Sequence, residues 1–301
     1  MPRILIASSD GLHTFDDSGF PGPVHHAGRA VTSLAPARQE LWAIVEGSEL
    51  WHTADFDRWT HRADIENHRG TCVAAIDDDV YVGSSEARLF RIAGQGLESV
   101  VPFDHAEGRS TWYTPWGGPP DTRSISNWDE LVYVNVHVGG ILRSEDRGET
   151  WMPTIDIDAD VHQVTTAEGL VLAACAGGLA VSSDRGGTWT IHSDGLEAPY
   201  SRAVAVCGDS VLVSASDGPR GGRGAVYRGD LTGGRLERCR TGLQEWFDDN
   251  IDSYCLDALP EGSLVAFGTS DGRVFASKDA GVSWAAVASG LPPVQRILVL
   301  S

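Results

Sequence analysis

Short apolar runs recur along the chain. Each alternates apolar and polar positions, and each leads through a turn rich in Gly, Ser, Asp or Glu into a second short apolar-aromatic run. Seven copies are readable: RILIASSDGLHTF, ELWAIVEGSELWHT, DVYVGSSEARLFRI, LVYVNVHVGGILRS, LVLAACAGGLAVSS, VLVSASDGPRGGRGAVYRG and LVAFGTSDGRVFAS. Alternation at period 2, bounded by turn residues, predicts hairpins of half-buried strands. The first apolar residue after each turn is Leu12, Leu50, Leu89, Ile141, Leu179, Val226 and Val274, with gaps of 38 to 52 residues. The 27 residues after Val274 and the 12 up to Leu12 together make one further repeat length, so the end of the chain completes what its start leaves unfinished.

Repeats of roughly 40 residues with four short strands each predict β-propeller blades, in which an inner strand A is followed by B, C and an outer D. The expected fold is all-β: a seven-bladed β-propeller of four-stranded antiparallel blades, closed when the C-terminal strand joins the N-terminal blade. The whole chain, 1–301, then forms one domain. The blades cover approximately 1–28 plus 294–301, 29–66, 67–104, 105–156, 157–196, 197–243 and 244–293. Closure of this kind hides edge strands.

Composition narrows the function classes. Hydrophobic residues make up 42% of the 301, enough for a large core, and 35 Gly and 14 Pro fit many turns. The formal net charge is -19, which repels nucleic acid and anionic lipid, so neither nucleic acid nor a membrane is an expected partner. No apolar run is long enough for a membrane span. The start, MPRILIASSDG, lacks the long apolar stretch and small-residue cleavage site of a signal peptide. Five scattered Cys without a C-x-x-C pair fit a reducing compartment, and a cytoplasmic location is expected. Nothing in the pattern sets the oligomeric state.

An octet stands out: SEDRGETW, SSDRGGTW and SKDAGVSW place Asp146, Asp184 and Asp279 at matched offsets before Gly148, Gly186 and Gly281, between strands C and D. An Asp side chain there can accept backbone N–H groups a few residues on, and the Gly supplies a positive φ. Looser copies surround Asp55 and Asp230. The S-x-D-x-G-x-[ST]-W octet resembles the Asp-box, or BNR repeat, of sialidase-like and WD40-YVTN-BNR-like propellers. That resemblance implies a structural role for the three Asp residues, on the face opposite a ligand site. It also extends to non-glycosidase propellers such as photosystem-assembly-factor-like and sortilin-like ones. Sialidases are six-bladed, and the chain shows no identifiable Tyr–Glu pair, so true sialidase activity is not the expected reading.

Chemistry is therefore sought where D-to-A loops and B-to-C turns meet at the channel mouth. The long loop Asp104–Arg123 is rich in Gly and Pro, predicts neither helix nor strand, and carries Trp112, Tyr113 and Trp116. With Arg69, Arg123, Arg202, Trp246 and Asp252 these are the candidate ligand-binding residues, for a small polar molecule that is anionic or a carbohydrate. His137 and His162 are candidate acid/base groups, and Tyr254 takes the nucleophile position of the sialidase comparison. His68, His105, His137 and His162, from the channel ends of blades two to five, are candidate ligands for a divalent transition metal in the central channel. Three functional classes follow: a glycosidase-like hydrolase or ligand-binding propeller, a metal-dependent lyase or hydrolase, and a non-catalytic module that binds protein or glycan.

Overall fold

The computed structural model describes residues 2–37, 40–167 and 169–301. Seven four-stranded antiparallel sheets succeed one another, each paired in simple meander order. The first is completed by both ends of the chain: Val294–Leu300 is its inner strand, followed by Arg3–Ser8, Gly11–Asp16 and Pro21–His25. The closing pair is in register from Arg3 opposite Leu300 to Ala7 opposite Arg296. The fold is thus a seven-bladed β-propeller shut by its C-terminal strand.

Blade four, Thr122–Trp128, Leu131–Val136, Gly140–Ser144 and Met152–Pro153, shows why the residues fold this way. Its second strand is buried along its whole length, because neighbouring blades cover both faces. The last strand is short and exposed. Buried residues of successive blades interlock: Val134 and Leu142 pack with Cys72 and Leu89 of blade three, while Tyr133 and Ile141 pack with Val164 and Ala173 of blade five.

The three octets form one repeated turn. In the first, Asp146 accepts the Thr150 N–H at 2.8 Å and the Thr150 hydroxyl at 2.6 Å, while Ser144 Oγ donates to Asp146 at 2.9 Å and accepts the Gly148 N–H at 2.8 Å. Asp184 and Asp279 repeat the pattern with Thr188 and Ser283. The glycines hold φ of 94°, 86° and 87°. Trp151 then enters the core, edge-on to Phe103 at 5.2 Å, and Trp284 does the same against Phe267 at 5.0 Å.

In an antiparallel meander, B-to-C turns and D-to-A loops lie at one end of the blades and C-to-D turns at the other. The octets therefore mark the face away from the channel mouth described below. The long D-to-A loop is less irregular than its Gly-Pro content predicts. It follows a helical turn, Val101–Asp104, and contains a 3₁₀ turn, Arg109–Thr111. Phe103, fully buried between the blades, anchors the first of these. All five cysteines are buried free thiols. Among the described residues no helix is long and apolar enough to cross a membrane.

Candidate functional site

Six of the seven inner strands break register near their starts, between Val31 and Ser33, Gly70 and Cys72, Thr122 and Ser124, Val161 and Gln163, Ser201 and Val204, and Val294 and Arg296. Such a bulge leaves an unpaired residue and re-aims its side chain. The residues skipped include Thr32, Thr71, Arg123, His162, Arg202 and Gln295. All of these except His162 line one cavity of about 530 Å³ at the channel mouth. Arg69, Asp121, Asp252 and Tyr254 also line it.

Three guanidinium groups meet two carboxylates there. Arg69 pairs with Asp121 at 2.6 Å. Arg202 pairs with Asp252 and lies over the Tyr200 ring at 5.5 Å. Among the described residues, Arg123 forms no ion pair and no hydrogen bond. Burial first, then the adjacent Arg202 charge, lowers the Arg123 pKa from its ordinary value. A half-buried guanidinium without a partner holds its donors ready for an anion.

The cavity floor is a set of bonds across the channel. Tyr254, at φ 62°, donates its N–H to Gln163 Oε1 at 2.7 Å, and its hydroxyl receives the Ile125 N–H at 3.0 Å. Arg296 stacks on its ring at 3.7 Å. Burial pushes the Tyr254 phenol up to about 12. Ser253 Oγ reaches both the His162 and Arg202 carbonyls at 3.1 Å. Below the floor, a second cavity of about 500 Å³ opens on the opposite face and includes Asp257 in its wall.

Beside the mouth, three side chains converge from blades four and five. His137 sits in the turn after Leu131–Val136 and is 4% exposed. The next residue, Val138, is held at φ 48°, strained for a β-branched side chain. Asp160 closes the 3₁₀ turn Ile157–Ala159, itself at φ 48°. Its Oδ1 lies 3.4 Å from His137 Nε2 and 3.6 Å from His162 Nε2, yet accepts no hydrogen bond.

His162 is fully buried, and its tautomer follows from its contacts. Nδ1 is 2.7 Å from the Ser201 carbonyl, which can only accept, so Nδ1 carries the proton. Nε2 keeps its lone pair and takes the Tyr200 hydroxyl at 3.0 Å. Burial holds the His162 pKa well below its ordinary value, reinforced by Arg123 and Arg202 and opposed by Asp160. Burial acts to raise the Asp160 carboxyl. The His137 contact and the neighbouring positive charges outweigh that, and its net direction is down.

The expected site residues thus divide. Arg69, Arg123, Arg202, Asp252 and Tyr254 share the mouth cavity. His137 and His162 come together with Asp160. His68 and His105 do not join them. His68 packs on the Phe90 ring at 5.7 Å in a cavity formed by blades two and three, and His105 is exposed. Of the loop aromatics, Trp112 packs inward on Phe103 under Arg109, Tyr113 is exposed, and Trp116 lies 5.2 Å from the His137 ring. Trp246 stacks on Arg238 at 3.9 Å, away from the mouth cavity. Asp160 and Tyr200 were not singled out in the sequence. Asp160 is one of three acids in the DIDAD stretch just before His162, and spacing does not separate them.

No family model matches the chain, and no curated protein matches it. Solved structures do resemble it in fold. YCF48 from Cyanidioschyzon merolae superposes with a TM-score of 0.62 at 14% identity, over 87% of this chain and 86% of that one. YCF48 bound to D1 peptide gives 0.58 at 13% identity, over 95% and 85%. The GH74 xyloglucanase from Xanthomonas campestris gives 0.61 at 16% identity, over 95% of this chain but only 46% of the enzyme. The chain therefore spans less than half the length of that glycoside hydrolase.

Proposed function

We propose that this propeller binds a small polar ligand bearing an anionic group in the mouth cavity, held chiefly by Arg123 and Arg202. The observation that carries this reading is the unpartnered, half-buried Arg123 guanidinium beside Arg202. An anion there would neutralise the excess positive charge of the cavity and satisfy donors that the protein leaves free. Asp121 and Asp252 already hold the other two guanidiniums in place, so the pocket is preorganised. If the ligand is also transformed, His137 and His162, beside the cavity but outside its lining, are the candidate groups for proton transfer.

Isothermal titration against sugar acids, dicarboxylates and inorganic phosphate tests the reading. Arg123→Ala should weaken the best binder about ten- to a hundred-fold, the range of a charge-assisted hydrogen-bond pair, and leave the melting temperature unchanged. Equal binding by Arg123→Ala and the unsubstituted protein, or no binder among the anions, would sink it.

A second reading is binding of a peptide or glycan across the same face. It is favoured by Trp116 and Tyr113, which stand 70% and 47% exposed in the long loop. The likeness to YCF48 bound to D1 peptide and to a xyloglucanase supports it at the level of fold. Under this reading, Trp116→Ala weakens binding and Arg123→Ala does not.

A further inference from the structure

Beyond anion binding, the geometry points to a divalent transition-metal site formed by His137, Asp160 and His162. One ligand atom of each lies within 4.8 Å of the others. A tetrahedral ion with bonds of about 2.1 Å sets its ligand atoms about 3.4 Å apart. The two edges from Asp160 Oδ1 measure 3.4 Å and 3.6 Å. A hydrogen bond would draw those atoms to about 2.9 Å and align them, and neither contact meets that geometry. A buried carboxylate oxygen with no donor, between two imidazole nitrogens, is what an ion would satisfy.

The surroundings suit an ion as well. The Ser201 carbonyl fixes the His162 proton on Nδ1 and leaves Nε2 free to ligate, the usual outer-shell arrangement of a metal-bound imidazole. Tyr200 donates to that same Nε2, so its hydroxyl must turn aside when the ion binds. Two imidazoles and one carboxylate suit zinc and its first-row neighbours, and three protein ligands leave a position open to water or a ligand oxygen. The site is separate from the mouth cavity in its ligands, so the metal can be tested without knowing the anion.

The experiment uses the full chain, stripped with chelator, exchanged into chelator-free buffer, and titrated with Zn²⁺ and Co²⁺ alone. One equivalent of Zn²⁺ should bind and raise the melting temperature, and Co²⁺ should show the visible d–d bands of a low-coordinate site. Asp160→Asn, which keeps size and shape, should weaken Zn²⁺ at least ten-fold. His137→Ala should do the same. Tyr200→Phe, which removes the competing donor, should bind Zn²⁺ as tightly as the unsubstituted chain or more so. His25→Ala, at the end of the outer strand of blade one, should leave Zn²⁺ binding unchanged. Zn²⁺ retained well below one equivalent, or Asp160→Asn binding like the unsubstituted chain, overturns the site. Circular dichroism melting without metal separates lost binding from lost folding.

Discussion

At the scale of single residues, the same carboxylate type meets opposite fates on the face away from the mouth. Asp184 is exposed in its turn, and its pKa is lowered to about 2 by the Thr188 N–H and hydroxyl and by Ser182. Asp257 lies on the inner strand of blade seven, where burial pushes it up to about 6 despite the Val299 N–H at 2.7 Å. A carboxyl whose folded pKa exceeds its unfolded value favours the folded state most when protonated. Its contribution is complete below about pH 4 and is lost as pH rises through about 6. Asp257→Asn should therefore be more stable than the parent at pH 7 by about 1–2 kcal/mol, after allowing for water in the lower cavity, with no gain at pH 4. Thermal melts across that range check it. A gain independent of pH would mean that ionisation is not the cause.

Elements decide what a residue type can do. Arg123, His162 and Arg202 sit at the starts of inner strands, which the hairpin pattern places at the channel end. Their aim depends on bulges, and a bulge of one residue leaves no trace in an alternation of apolar and polar positions. The long loop makes the same point within fifteen residues. Trp112 and Trp116 look alike in the sequence, but Trp112 packs on Phe103 and the core of blades three and four, whereas Trp116 is 70% exposed. Trp112→Ala should cost about 2–3 kcal/mol, somewhat less than a fully buried Trp. Trp116→Ala should stay within about 0.5 kcal/mol of the parent. Equal effects in chemical denaturation would contradict this division of the loop.

At the scale of the whole molecule, the ring holds because its ends pair. Val294–Leu300 supplies the inner strand of blade one, and Arg296 on it stacks beneath Tyr254 at the centre of the channel. Deleting 294–301 would bare the edge of Arg3–Ser8 and remove part of the channel floor. The expected result is loss of the single cooperative unfolding transition, with aggregation in size-exclusion chromatography. A truncated chain that melts as one sharp, monomeric transition would show that closure is dispensable. Blade number, strand order and closure were legible in the sequence because they rest on local signals: period-2 alternation, turn residues and a near-constant repeat length. The octet turns were legible for the same reason, since the Asp and Ser hydrogen bonds that shape them span at most four residues. The convergence of His137, Asp160 and His162 was not, nor was the pairing that frees Arg123 while it occupies Arg69 and Arg202. Those depend on contacts between blades and on register shifts in strands distant in the chain, which only the folded ring brings together.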